Sequence, residues 1–475
     1  MKLSDKSLNT NYQLRFSSEI YSDRTGLQEL LIRERIMIPS NREHFQKDKL
    51  KFTSFELPPA LKSVNFACFV IGESLSFFGS WMTQIALVWL VYQLTNSAIL
   101  VGVAGFTNQA TGLVITPLVG VLLDRWNLRY VLLTTQLVSI LLSSTLTFLT
   151  LSGNINVVWI ILIGTLQGTV KAFDLPARQV IIPRLLDKKS DTYSAMASHS
   201  FLINTAKFVS PMIGGLVIAR SGAASCFLVD SISYLPFISA ILTVKVNPVI
   251  HNASNHKSQI WNNLKEGFVY AYKFLPIKYL LILQIIVCFM GMTYVNLVPI
   301  FAQEVLKGNA ETMGYLMTAS ALGSIISGVY LISRKNIIGL GTIIASSTAI
   351  LGLGLIIFSR STNLNICLIF MFIIGMNNSL TLASISNFMQ SILLEEDKRG
   401  RVTSIFTTGF LGILPFGNLF FGALAGYFGV SNALMFGGIC CILGAYFFSR
   451  QLPKIGKIVD PIYAQLGLFP QSNKG

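Results

Sequence analysis

The chain has 475 residues, of which 52% are hydrophobic and only 12% charged. Soluble globular chains carry about 25% charged residues, so most residues here do not face water. The formal charge of +15 would suit a nucleic-acid binder, but the placement of the basic residues gives it another meaning.

Residues 1–59 mix charges and hold no long apolar core, so no signal peptide is expected there. They are expected to be a partly disordered cytoplasmic tail. A membrane-crossing helix needs about 20 mostly apolar residues. Runs of that kind occupy 64–92, 99–123, 130–151, 157–173, 193–219 and 223–246. After a polar interval come 279–301, 312–332, 337–358, 364–388, 402–427 and 432–448, the run at 312–332 being broken by Gly323 and Gly328. The expected fold is therefore an all-α membrane protein with twelve transmembrane helices in two six-helix bundles. The domains would be the tail at 1–60, bundles at 61–247 and 279–450, a linker at 248–278 and a C-terminal tail at 451–475. Within the linker, 260–275 reads as an amphipathic surface helix with Trp261, Leu264, Phe268 and Tyr272 on one side.

Cytoplasmic loops of membrane proteins are rich in Lys and Arg. With a cytoplasmic N-terminus, 32 of the 36 basic residues fall on the cytoplasmic side. Three, Arg220, Lys307 and Arg360, fall opposite, and Lys207 lies inside a run. This split supports an even number of crossings with both termini cytoplasmic, and it leaves no nucleic-acid footprint to explain. The six cysteines lie in apolar runs without metal-ligand spacing, so each is expected as a buried free thiol. The halves also echo each other. Gly215 and Gly222 are seven residues apart, as are Gly422 and Gly429. Parallel six-helix repeats fit a transporter that rocks one bundle against the other around a midplane site.

The loop after the second run reads Gly120-Val-Leu-Leu-Asp124-Arg125-Trp-Asn-Leu-Arg129. It resembles the loop signature of the major facilitator superfamily. Asn127 stands where the signature has its second glycine, and an Asn tolerates the left-handed backbone of a tight turn. The segments 173–179, 80–82, 94–97 and 397–402, together with Pro415, Gly417 and Gly422, resemble one branch, the enterobactin-exporter-like and macrolide-efflux-like transporters. The resemblance spans about 66–450. It implies a cytoplasmic latch of Gly120, Asp124, Arg125, Arg129, Asp174, Arg178, Arg399 and Arg401, with Asp124 meeting Arg178 or the start of the eleventh helix. An ordinary stop-transfer cluster would carry the same charges. Pro211, Gly214 and Gly215 resemble an exporter motif of the superfamily and also suit plain helix packing. Gly164 stands where many drug–proton antiporters have an arginine.

Glu73 and Lys207 lie deep in their runs, where charges are costly and are usually functional or paired. They are expected to pair with each other, as a structural bond or as coupling machinery. Asp230 reads as a hydrogen-bonded or solvated carboxylate near the outer surface, and His199 as uninformative near the cytoplasmic end. The resemblance implies a cavity lined by the first, fourth, seventh and tenth helices. Its candidates are Ser80, Gln84, Gln284, Asn377, Thr381 and Ser384, although interhelical hydrogen bonding would explain each as well.

No phosphate-binding loop and no haem or metal set is present in the sequence. The expectation is a non-enzymatic, monomeric secondary transporter of a bacterial inner membrane, without cofactor. Its partners would be a small-molecule substrate, lipids and, as an open candidate, protons. Export of a small amphipathic compound, drug-like or siderophore-like, leads. Import by the same fold, and a membrane enzyme or scaffold, are the competing readings.

Overall fold

The computed structural model describes residues 59–123, 126–186, 191–244, 272–334, 338–392 and 396–465. The tail up to residue 58, Asp124, Arg125 and most of the expected linker helix lie outside the described residues.

The first set of helices comprises α1 (Val64–Thr95), α2 (Ala98–Leu123), α3 (Leu128–Leu151), α4 (Val157–Ile181), α5 (Thr192–Ser221) and α6 (Ala223–Thr243). The second comprises α7 (Leu275–Ile286), α8 (Tyr294–Glu304), α9 (Ala310–Ser333), α10 (Leu340–Arg360), α11 (Leu364–Ser391), α12 (Glu396–Phe428) and α13 (Val430–Gln465). Eleven spans among the described residues are long and apolar enough to cross a membrane, with α7 and α8 counting as one. The apolar part of α12, Gly412–Phe428, is shorter.

Local chemistry sets many of the boundaries. Asn127, Asn156, Asn309 and Asn363 cap α3, α4, α9 and α11, each side chain accepting from a backbone N–H of the first turn. Asn127 does so in extended backbone (φ −72°, ψ 111°), so it works as a cap and not as the left-handed turn residue expected. Gly222 and Gly429 do take positive φ, 79° and 84°, where α5 turns into α6 and α12 into α13.

Four expectations about the spans change. The fourth does not stop at residue 173. It continues to Ile181 through Pro176, which carries Asp174 and Arg178 into the helix instead of the loop. Gly323 and Gly328 do not break α9; a Cβ at Gly323 would overlap the Phe372 carbonyl of α11, so this glycine permits close packing. The seventh span is the interrupted one. A π-helical turn, Val287–Gly291, separates α7 from α8, a local widening common at functional sites. Finally, α13 runs to Gln465, well past the expected end of the last span, and buries Ile455, Val459 and Tyr463 one turn apart. The Tyr463 hydroxyl lies 3.0 Å from Ser391 Oγ, tying this extension to the end of α11. All six cysteines are free, but Cys68 is exposed and Cys440 half-buried, so the expectation of burial fails for those two.

The sets repeat one packing plan. In the first, α2 packs on α4, and α6 on α1 and α3. In the second, α9 packs on α11, and α13 on α7 and α10. They meet where α2 crosses α12 and α5 crosses α9. Both crossings are glycine against glycine. A Cβ added to Gly215 would collide with Gly314, and one on Gly422 would stand 2.6 Å from Gly102 Cα. These contacts lie near the α1–α2 and α5–α6 turns. There Tyr92 also donates a 2.5 Å hydrogen bond to Glu304 Oε1 across the two sets.

Candidate functional site

A cavity of about 430 Å³ lies between the two sets, within the range of small-molecule sites. From the first set, α1 contributes Trp81, Gln84, Ile85 and Val88, and α5 contributes Lys207 and Pro211. The interrupted span supplies Met292 from its break and Tyr294, Asn296 and Pro299 from α8. Ser320 and Ser324 of α9 and Asn378, Ser379 and Ser386 of α11 complete the polar wall. The Tyr294 hydroxyl is 2.9 Å from Ser320 Oγ, fixing one side of that wall. Lys207 Nζ stands 5.6 Å from the centre of the Trp81 ring, within cation–π reach.

A second constellation is buried wholly within the first set. Glu73 of α1 places Oε2 2.9 Å from His199 Nδ1 of α5 and Oε1 3.7 Å from an Arg178 amino nitrogen of α4. Arg178 Nε donates to Asp174 Oδ2 at 2.7 Å, one helical turn back. Gln136 of α3 donates to Asp174 Oδ1 at 2.7 Å, and the Thr135 hydroxyl lies 3.0 Å from the same oxygen. Ser76 and Gln136 accept from the other guanidinium nitrogen, and the rings of Phe77 and Phe237 cover its faces at 4.6 and 4.2 Å. Each charged member is at least nine-tenths buried. Two carboxylates, one guanidinium and one imidazole thus share a single buried network.

This geometry corrects the expected ion pair. Glu73 meets Arg178 and His199, not Lys207. Lys207 lies eight residues beyond His199 on α5, about 12 Å along the axis. It belongs to the cavity. Asp230 is fully buried and accepts a 2.7 Å bond from Ser143, so the solvated alternative is removed. His199, uninformative in the sequence, is a buried partner. Lys171, inside the fourth run, lies in α4 within electrostatic reach of Asp230 and Asp174.

The expected latch is divided. Asp174 and Arg178 sit inside the buried cluster and not in a loop. Arg129 instead donates to the Leu242 carbonyl at the end of α6, a favourable use of a cation at a helix C-terminus. Trp126 stacks at 6.2 Å on Phe173, holding the turn before α3 against α4. Gly120 lies in α2, and Arg399 and Arg401 in the first turns of α12.

Of the expected cavity residues, Gln84 lines the cavity. Ser80 bonds Tyr234 at 3.0 Å, and Gln284 donates to the Phe406 carbonyl at 2.8 Å. Asn377, Thr381 and Ser384 are buried on the other side of α11, Thr381 lying 2.8 Å from Ser347 Oγ of α10. The residues lining the cavity are their neighbours Asn378, Ser379 and Ser386, so the expected polar face is about one residue, or 100°, out of phase. Gly214 rests on Met82, and Gly215 makes the crossing with α9. Sequence reasoning missed Gln136, Asn296 and Asn378. Their signal is a polar residue inside a long apolar run, which does not tell a cavity from a buried hydrogen bond.

The chain is 29% identical over 392 residues to the staphyloferrin A transporter of Staphylococcus aureus, covering 81% of this chain and 96% of that one. It is 21% identical over 260 residues to macrolide efflux protein A of Streptococcus pyogenes, covering 55% and 64%. Its backbone resembles a solved POT family transporter in complex with 5-aminolevulinic acid, with a TM-score of 0.64 at 13% identity over 82% of this chain and 96% of the other. The family described as transmembrane secretion effector, a branch of the major facilitator superfamily, matches residues 56–461. The chain belongs to this transmembrane secretion effector family and is a multi-pass membrane transporter.

Proposed function

We propose that the protein exports a small amphipathic compound by alternating access, driven by protons. The observation that carries this reading is the cavity between the two sets, closed at one end by the paired glycine crossings. Twelve crossings in two six-helix bundles follow if α12 spans with the others. The basic asymmetry of the sequence puts both termini in the bacterial cytoplasm, so the closed end faces outward and the cavity loads from inside. Export is favoured by the relatives: one is named for transport of a siderophore and another for efflux of macrolides.

The buried cluster is the coupling element in this reading. Proton exchange at Glu73 and His199 alters the charge holding α1, α4 and α5 together. Of these, α1 and α5 also line the cavity, so a change in the cluster reaches the wall of the site that must open and close. The sequence resemblance adds Asp124, Arg125, Arg399 and Arg401 to this reading as residues of a cytoplasmic latch.

The test is transport of radiolabelled staphyloferrin A and of a radiolabelled macrolide by the purified full chain in proteoliposomes, with and without an imposed pH gradient. One compound should move faster than in empty liposomes, and the gradient should accelerate it. Glu73→Gln should abolish that acceleration while leaving binding intact. No movement of either compound, or identical gradient dependence in Glu73→Gln, overturns the proposal. The side of accumulation decides between export and import.

A further inference from the structure

We propose that the cavity selects solutes that carry both a hydrogen-bond donor and a carbonyl acceptor, an amide being the simplest, and that Asn378 and Asn296 are the residues that read them. This rests on the transport reading above and adds the chemical class of the substrate. Carboxamides elsewhere in the spans are engaged inside the protein. Asn108 donates to the Gly164 carbonyl at 3.1 Å, and Gln136 to Asp174 at 2.7 Å. Asn377 donates to the Ile373 carbonyl at 2.8 Å, one turn back on α11. Its neighbour Asn378 differs. It lines the cavity, it is nine-tenths buried, and its side-chain oxygen is buried without a hydrogen-bond partner. Such an oxygen is costly to leave unsatisfied, and an N–H or O–H on the solute would satisfy it.

A second orphan group, of the opposite kind, lies beside the same cavity. Asn296 of α8 is in the wall, and Asn418 of α12 stands next to it. A Cβ added to Gly105 of α2 would stand 3.2 Å from Asn296 Nδ2 and 3.3 Å from Asn418 Nδ2, so this glycine leaves room between two amide nitrogens. Asn418 Nδ2 is buried without a hydrogen-bond partner. This end of the wall lacks an acceptor, as Asn378 lacks a donor. A solute that supplies both completes the two ends, and one that lacks either leaves a buried polar group unpaired. The rest of the lining includes Val88, Met317, Leu382 and Phe406, apolar surface for the remainder of the molecule, with methionine able to adapt its shape. The fitted class is an amphipathic compound with an amide or hydroxy-carbonyl head.

The experiment places a reporter thiol in the cavity. Ser379→Cys is made in the full-length protein with Cys68→Ser and Cys440→Ser, the other cysteines being buried. Labelling by N-ethylmaleimide is measured on the purified protein in detergent micelles, against increasing 2-naphthylacetamide or methyl 2-naphthylacetate. The two compounds share the ring and the carbonyl, and only the amide has a donor. The amide should protect at a concentration roughly tenfold lower than the ester. Asn378→Leu should remove that preference by weakening the amide while protection by the ester is unchanged, which also reports an intact site. Asn378→Ser, the milder change, should lower the preference by less. Asn296→Leu should weaken both compounds, since both carry the carbonyl.

The outcomes separate this inference from the reading beneath it. If the introduced thiol does not react with N-ethylmaleimide, the cavity is closed to water, and the transport site and this proposal fall together. If it reacts and the two compounds protect equally, or neither protects, the amide proposal alone falls. It falls as well if Asn378→Leu leaves the preference in place or weakens both compounds alike, or if Asn296→Leu changes neither.

Discussion

Among the described residues, the buried polar groups of the first half include Glu73, Asp174, Arg178, His199 and Asp230. Those of the second are hydroxyls and amides, such as Ser347, Thr348, Asn377, Thr381 and Asn418. The backbone plan is shared, down to the matching glycine crossings, yet ionisable chemistry is kept to one side. Neutral hydroxyl pairs such as Thr381–Ser347 hold their geometry at any physiological pH. A cluster of two carboxylates, a guanidinium and an imidazole instead joins its helices through buried ionic contacts. The difference teaches that buried charge is built into one half, against a partner held by neutral hydrogen bonds.

The largest way to break this contrast is to remove Arg178. Its guanidinium touches groups from α1, α3 and α4 and lies between two aromatic rings. Arg178→Met keeps much of the volume but leaves Glu73 and Asp174 buried without their counter-charge. Breaking a buried pair on one side costs about 3–5 kcal/mol. Reversible unfolding in mixed detergent micelles should register a loss of that size, with lower yield of folded protein. A loss under about 1 kcal/mol, the size expected for a neutral hydrogen bond, would mean that the cluster is solvated and that the halves do not differ energetically.

The glycine crossings sharpen the comparison from the other direction, because there the halves should behave alike. Gly215→Val and Gly422→Val each place side-chain atoms where a helix of the opposite half passes. Neither should unfold the protein. Each should hold the α1–α2 end apart, reduce transport by roughly tenfold, since misplacing a site by about 1 Å can cost 100-fold, and lengthen the distance between spin labels at Ser221 and Lys307. If only one substitution has these effects, the closure is carried by one crossing and the packing symmetry has no mechanical meaning.

Much of this was legible in the chain. Apolar run lengths gave the spans, and the recurrence of Gly215–Gly222 as Gly422–Gly429 pointed to two matching halves. The buried cluster was not legible, because Pro176 and the adjoining charges read as loop while α4 continues through them. Asp174 and Arg178 are four apart, which on a helix places them on one face. That spacing was the available clue. The phase of α11 was not legible either. In a membrane helix, a hydroxyl buried against a neighbour and one facing a watery cavity produce the same pattern. Asn377 and Asn378 are adjacent polar residues that point to different sides, and only packing decides which side is the cavity. Lys207 and Glu73 both stand out as costly, but depth along a span does not reveal that they belong to separate sites.

The smallest expected effect tests the contrast most directly, because it makes the same chemical change in both halves. Thr→Val removes a hydroxyl and nearly preserves shape. At Thr381 it deletes a hydroxyl pair with Ser347 at 2.8 Å, far from any buried charge. Interhelical hydrogen bonds of this kind are worth about 0.6 kcal/mol in membrane proteins, so Thr381→Val should lower stability by about that amount and leave the pH profile of transport unchanged. At Thr135 the same change removes a hydroxyl 3.0 Å from Asp174. A hydrogen bond to a charged group is worth about 1.5–3 kcal/mol, so the loss should be larger. Equal stability losses at Thr135 and Thr381 would show that the two halves respond to polar change in the same way, and the contrast between them would fall.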